Sequence, residues 1–315
     1  MIKPFLISLA ATICVSIAIA GYNISNTKMS SFGSNAGSTP ASAATPKPVP
    51  KPKSTPDPLG KFRAVQQVPD WAKKRVITKV PLKPGQKLFA LTFDDGPWPK
   101  FTEAILEILA EYDAKATFYM VGDVVRSHPK IARKVRDGGH AVGNHSWSHP
   151  SRPRNPVAEV QKTNAEIKKV LGVLPSTFRP PYGILKNGLA KQANKDNMPV
   201  VNWSADSGDW RRPSAEKIAS RVLRQASPGG IALMHDGGGP RSRTVQALPI
   251  IIRGLQDRGY RLVTVPELLK ARYVAPVKPK AKSKPKPKPK EKPLSKPRPT
   301  ASKTPAQSPT PTPAR

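Results

Sequence analysis

The sequence predicts an α/β domain built on a parallel sheet and flanked by segments that cannot form a core. Three observations carry that expectation. Short apolar runs alternate with amphipathic stretches through the middle of the chain. Seven such runs are separated by six amphipathic stretches, a pattern that brings strands together in parallel through right-handed crossovers. The 38 prolines are unevenly spread, with 7 at 40–58 and 12 at 274–315, so only the middle of the 315 residues is suited to packing. One folded domain over 61–273 follows. An open sheet and a sheet rolled into a barrel satisfy this periodicity equally.

The first strand, 88–93, runs straight into Asp94-Asp95-Gly96-Pro97. The helix expected at 102–112 carries Ile105, Leu106, Ile108 and Leu109 as a broad apolar stripe, with Glu103, Glu107 and Glu111 at i, i+4 spacing opposite. A second strand at 116–121 leads to a helix at 129–137. The third, 140–144, ends in His145-Ser-Trp-Ser-His149 ahead of a helix at 156–171. The fourth, 177–179, gives Arg179-Pro-Pro-Tyr182 and then a helix at 186–194. The fifth, 200–203, leads to Asp206-Ser-Gly-Asp209-Trp210 and a helix at 214–225. The sixth, 230–234, ends at His235-Asp236 before a helix at 244–258, and a seventh strand lies at 261–263. Five clusters of reactive side chains thus follow five strands. That edge is where parallel α/β folds build ligand sites, so the clusters should converge on one pocket.

Outside the domain, Lys3 precedes an apolar run over residues 4–20 that ends in Ala18-Ile19-Ala20. This outlines a signal peptide within 1–26, cleaved before Gly21; the 17-residue run is also just long enough for an uncleaved membrane anchor. Either way the domain is expected to be exported: secreted, periplasmic or associated with the cell wall. Cys14 is the only cysteine and lies in that run, so a cleaved chain has neither thiol nor disulfide. Residues 27–60 are a Ser/Pro/Lys-rich linker, and 274–315 repeat that composition around Lys284-Pro-Lys-Pro-Lys, giving stiff, self-repelling spacers.

The net charge is +33, of which +11 falls on 274–315 and +18 on 61–273. Such an excess points to a polyanionic neighbour. Export, and the absence of a zinc-finger, RNP or homeodomain pattern, excludes nucleic acid. An anionic wall polymer or a membrane surface is the partner expected for the basic tail.

His145 and His149 are four apart, the spacing that puts two imidazoles on one face of a helical turn. With a carboxylate they make the two-His, one-carboxylate set that holds zinc or a similar divalent ion and leaves positions open for water and substrate. Asp94-Asp95 supplies that carboxylate and one more. In a strand-ending pair the two side chains diverge, so one can ligate while the other faces the reacting water. His128 and His140 sit in ordinary turn and strand-start contexts.

Taken together, Thr92-Phe93-Asp94-Asp95-Gly96-Pro97, His145-Ser-Trp-Ser-His149, Arg179-Pro-Pro-Tyr182, Asp206-Ser-Gly-Asp209-Trp210 and Leu233-Met-His235 resemble the five ordered motifs of the polysaccharide deacetylases, the NodB-homology group of carbohydrate esterase family 4. The resemblance covers roughly 86–270. It implies a parallel sheet rolled into a distorted (β/α)7-type barrel. It implies metal ligation by Asp95, His145 and His149, with zinc the usual ion and cobalt or manganese fitting the same donors. Asp94 would be the general base toward the attacking water, and His235 the general acid, its charged form held by Asp209. Arg179 would pair with Asp94 and be oriented by Asp206. The backbone N–H of Tyr182 would stabilise the oxyanion, while Trp210 and Leu233 would wall the pocket for the acetyl methyl and the sugar face.

The activity so implied is hydrolysis of the N-acetyl group of N-acetylglucosamine in an N-acetylated cell-wall glycan, peptidoglycan first, by a monomer. Chitin oligosaccharides and N-acetylmuramic acid need the same catalytic set. A non-catalytic wall-binding protein on the same fold would have lost a base, ligand or acid, and none is missing here.

Overall fold

The computed structural model describes residues 59–275. The expected signal or anchor segment with Cys14, the linker up to residue 58 and the Lys/Pro tail after 275 lie outside the described residues. Helix α1 (Gly60–Gln66) and strand β1 (Val76–Ile77) lead to β2 (Leu88–Asp94), which is buried along its whole length. Then follow α2 (Phe101–Glu111), β3 (Ala116–Met120), α3 (Gly122–Ser127), α4 (Pro129–Asp137), β4 (Ala141–Asn144) and α5 (Pro156–Leu171). The second half holds α6 (Leu189–Lys195), β5 (Val200–Val201), β6 (Ala205–Asp206), α7 (Ala215–Gln225), β7 (Gly230–His235), α8 (Ser242–Gln256), β8 (Arg261–Leu262) and α9 (Val265–Lys270). Among the described residues, no helix is long and apolar enough to cross a membrane.

Every strand pair is parallel, as the alternation of elements requires. The main order is β4-β3-β2-β7-β6, with β8 against the start of β2 and β1 paired to β5. Phe178 bridges Asn144 on one side and Val200 on the other. Residues 200–206 therefore meet the wall near β4 through Phe178 and the wall at β7 through β6. That closure makes the sheet a distorted barrel, the shape the family resemblance implied.

Three sequence expectations change. The strand expected at 177–179 is a single bridging residue, because Pro180 has no N–H to continue a ladder. The strand expected at 200–203 ends at Val201, since Asn202 N–H turns to Ile77 and Ser204 N–H to Ile231, and β6 resumes at Ala205. Strand β1 and helices α1, α3 and α9 are additional; they are two to seven residues long, too short to show a period.

Alternation along β2 divides its residues between two environments. Phe89, Leu91 and Phe93 pack outward into the large apolar cluster with Ile105 and Leu109 of α2 and Ile251 and Leu255 of α8. Leu88 and Ala90 face the barrel interior with Tyr119, Val201 and Ile231. Thr92 and Asp94 continue that inward row, so the strand's apolar alternation is what delivers a carboxylate to the barrel mouth.

His140 is buried against Phe118, and its Nδ1 accepts a hydrogen bond from Ala116 N–H at 3.2 Å. Burial, with a smaller contribution from Lys115, pushes its pKa down to about 3. The folded chain thus keeps His140 neutral, whereas the unfolded chain protonates it near ~6.5. Stability should fall as pH drops from ~6.5 toward about 3, by up to ~1.4 kcal/mol per pH unit from this residue. Denaturant unfolding between neutral and acidic pH should show a shallower slope in His140→Gln; equal slopes would rule this origin out.

Candidate active site

Asp94 closes β2 with its carboxylate inward, and Leu233 and His235 of β7 are register partners of Thr92 and Asp94 on that face. The base and the acid implied by the sequence therefore stand side by side on neighbouring strands. In a continuing strand Asp95 would point away from Asp94. Instead its φ of 76° breaks the alternation, and both carboxylates line one cavity of about 780 Å³. The cavity also holds His145, His149, His235, Tyr182, Trp210 and Leu233, so the five sequence clusters do converge.

His145 and His149 come together without a helical turn, which corrects the geometry expected from their spacing. Ser146 and His149 both take left-handed backbone, with φ of 65° and 56°. Asn144 accepts from Ser146 N–H at 2.7 Å, while its own amide is fixed by the Val160 carbonyl and Asn164. Glu159 of α5 accepts from the N–H groups of Trp147 and Ser148 and from the Ser148 hydroxyl. His145 Nδ1 lies 2.7 Å from the Arg179 carbonyl, which can only accept, so Nδ1 carries the proton and Nε2 is presented to the carboxylates.

Asp95 Oδ1 is 3.5 Å from His145 Nε2 and 3.3 Å from His149 Nε2. The three donor atoms lie within 4.8 Å of one another, and Asp95 Oδ1 is buried with no hydrogen-bond partner. A buried carboxylate oxygen without a donor, flanked by two imidazoles, is the environment that a divalent cation completes, so the residues fit a metal. The glycine-rich loop after Asp236 presses on this ligand: a Cβ on Gly238 would lie 2.5 Å from Asp95 Oδ2. Burial works to raise the Asp95 carboxyl, but His145, then His235 and His149, outweigh it and hold it below the ordinary range. Burial and the neighbouring His145 push His149 down to about 4.

Arg179 has no exposed surface. Nη1 donates to Asp94 Oδ1 and Thr92 Oγ1, each at 2.7 Å, Nε donates to the Val201 carbonyl and Nη2 to the Asn202 carbonyl. Its guanidinium lies 4.1 Å from the centre of the Tyr119 ring. The pairing with Asp94 is thus as expected, but orientation by Asp206 is not. Asp206 Oδ1 accepts from Gly208 N–H at 2.8 Å and closes its own turn, because β6 ends there and Thr92 and two carbonyls already occupy the guanidinium.

Asp209 binds His235 twice, Oδ1 to Nδ1 at 2.7 Å and Oδ2 to the backbone N–H at 2.8 Å, and Thr244 donates to Oδ2. Burial opposes the charged imidazole, yet this carboxylate raises His235 to about 9. Tyr182 stands at φ 57° beside His149, and among the described residues its N–H donates to no other group. Sequence reasoning missed Thr92, Asn144, Glu159, the cavity-lining Trp98, and Arg241, whose Nη2 lies 3.9 Å from Asp95 Oδ2. Thr92 could have been found, since it lies two residues before Asp94 on the same strand face. Glu159 is set by the packing of α5 and carries no local signal.

The polysaccharide deacetylase family model matches residues 82–201. A peptidoglycan-N-acetylglucosamine deacetylase of Bacillus cereus is 38% identical over 193 residues, spanning 60% of this chain and 91% of the relative. A chitooligosaccharide deacetylase of Azorhizobium caulinodans is 35% identical over 197 residues, 58% of this chain and 94% of that one. The solved structure of the Bc1960 peptidoglycan N-acetylglucosamine deacetylase superposes with a TM-score of 0.59 at 33% identity, covering 64% of this chain and 96% of that chain.

Arg179→Met leaves the Asp94 carboxylate buried without its cation. The expected loss in unfolding free energy is ~3–5 kcal/mol, read from denaturant midpoints at constant slope. A change below ~1 kcal/mol would mean that water or another cation takes the guanidinium's place.

Proposed function

Because this chain belongs to the polysaccharide deacetylase family, we propose that its cavity hydrolyses the N-acetyl group of N-acetylglucosamine residues in peptidoglycan and releases acetate. The observation that carries the reading is the buried, unpartnered Asp95 Oδ1 between two imidazoles, with a second carboxylate held by Arg179 and an imidazole held by Asp209 beside it. No base, ligand or acid is missing, which speaks against a purely binding role.

A divalent cation held by Asp95, His145 and His149, zinc first and cobalt or manganese on the same donors, would supply Lewis acidity toward the acetamide carbonyl and toward water. The carboxylate of Asp94, clamped through Oδ1 by Arg179, leaves Oδ2 to accept the proton of the attacking water. The Tyr182 N–H would stabilise the developing oxyanion: the residue lines the cavity, and among the described residues that donor has no other partner. When the C–N bond breaks, its electron pair stays on nitrogen, and the His235 imidazolium supplies the proton that makes the amine a leaving group. Trp210, half exposed, and Leu233, buried at the floor, would wall the acetyl methyl and the sugar face.

Peptidoglycan is preferred over chitin oligosaccharides because the apolar leader and the Lys/Pro tail suit a protein acting outside the cytoplasm against an anionic wall. The coverage of the chitooligosaccharide deacetylase relative keeps soluble chitin fragments as the second reading.

Acetate release should be measured on peptidoglycan and on chitin oligosaccharides, after chelation and again after zinc is restored. Zinc-dependent release, faster from peptidoglycan, is expected; release that survives chelation would remove the metal from the reading, and faster release from chitin would select the second substrate. Asp94→Asn should lower turnover by about 10²–10⁴-fold while one metal per chain is retained, since Asn remains a hydrogen-bond acceptor for Arg179 but is no base. Loss of metal in that variant would exchange the roles of the two aspartates.

A further inference from the structure

Among the described residues, three aromatic side chains are more than a third exposed, Trp98, Tyr182 and Trp210, and all three line the catalytic cavity. Tyr182 and Trp210 belong to the reacting site above. Trp98 does not: it follows the metal-ligand loop and shares its stretch of wall with Val121 and Val124 at the start of α3. The indole is 37% exposed on the wall of a cleft that receives substrate, the place where such a ring can meet a ligand.

The chain also holds Trp98 firmly at that wall. Its backbone N–H donates to Thr102 Oγ1 at 2.7 Å, and Thr102 donates to Asp236 Oδ2 at 2.6 Å; the Thr102 and Asp236 side chains are buried. Asp236 in turn packs so tightly on Gly96 that a Cβ there would lie 2.1 Å from Oδ2. The indole meets His128 edge-on at 6.1 Å, which leaves ring surface open to the cavity. A large, flat ring with only two side-chain torsions, carried on a backbone held in place at the wall of a cleft, binds at small entropic cost. The ligand face suited to it is the row of C–H groups on one side of a pyranose.

We propose that Trp98 stacks on a sugar ring adjacent to the one being deacetylated, so that the enzyme selects polymer over single amino sugars. This rests on the deacetylase reading above. The test compares the full-length, metal-loaded chain with Trp98→Leu and Trp98→Phe on short and long N-acetylglucosamine oligomers, following acetate release and, separately, oligomer binding by calorimetry. Trp98→Leu keeps an apolar side chain but removes the flat ring, and should raise KM and Kd for long oligomers by roughly tenfold, with kcat much less affected. Trp98→Phe should recover most of that loss. Equal KM for Trp98→Leu and wild type on long oligomers would overturn the role of Trp98 alone. Absence of turnover and binding of any oligomer by the wild-type chain would instead overturn the substrate reading, and this inference with it.

Discussion

A guanidinium with no exposed surface is tolerable only if its N–H groups find acceptors and its charge finds an anion, because desolvation alone costs several kcal/mol per ion. Arg179 meets both conditions. Four of its five N–H groups are bonded, to Thr92, Asp94 and the carbonyls of Val201 and Asn202. These partners sit on β2 and on the stretch that begins at β5, so one side chain spans the barrel interior where the sheet between β4 and β5 is reduced to the Phe178 bridge. Apolar packing could stabilise such an interior at least as well. What the ion pair adds is direction: Asp94 Oδ1 is committed to Arg179, and Oδ2 is left 3.6 Å from His145 Nε2 at the cavity. The Arg179 main chain contributes as well, since its carbonyl sets the tautomer of His145.

Left-handed backbone recurs in the loops that carry the site. Asp95, Ser146, His149 and Tyr182 all have φ between 56° and 76°, a region that costs non-glycine residues about 1–3 kcal/mol where nothing local relieves it. Three of the four are held by neighbours: Ser146 by Asn144, the turn that carries His149 by Glu159, and Asp95 by the glycine loop at 237–239. The expense is spread over a core in which Phe89, Leu91, Phe93 and their helical partners are fully buried. Left-handed backbone does here what a regular strand end or helix cannot, bringing residues of alternating or diverging direction onto one point.

These features mark the limit of what was legible in the sequence. Long elements with a clear period, β2, α2, α5 and α7, were readable because burial of one face dictates their spacing. The convergence of five polar clusters followed from parallel topology alone. The parts that were not readable depend on contacts between residues far apart in the chain. Asp206 looked like the partner of Arg179 because motif order is visible, whereas the acceptors that hold the guanidinium are main-chain carbonyls of residues 201 and 202, which have no signature in any sequence. The histidine spacing suggested a helix because i, i+4 is its commonest cause; Asn144 and Glu159 reach the same result with a turn. Trp98 had no motif of its own, and its significance is a matter of exposure at a cavity wall.

The acid and the base are distinguished by their partners rather than by their distance from the metal ligands. Asp94 and His235 are register neighbours on β2 and β7, on the same face and at the same height. Arg179 commits one oxygen of Asp94 and leaves the other at the cavity, while the carboxylate behind the imidazole favours a His235 cation that can give a proton. In the reaction proposed above, one hydrolysis would leave a proton on Asp94 and remove one from His235. The starting state would return once that proton passes to His235, whose backbone is the register partner of Asp94 on the adjacent strand. On that reading, adjacent parallel strands in register serve the reaction by setting the proposed acid and base side by side at one end of the barrel.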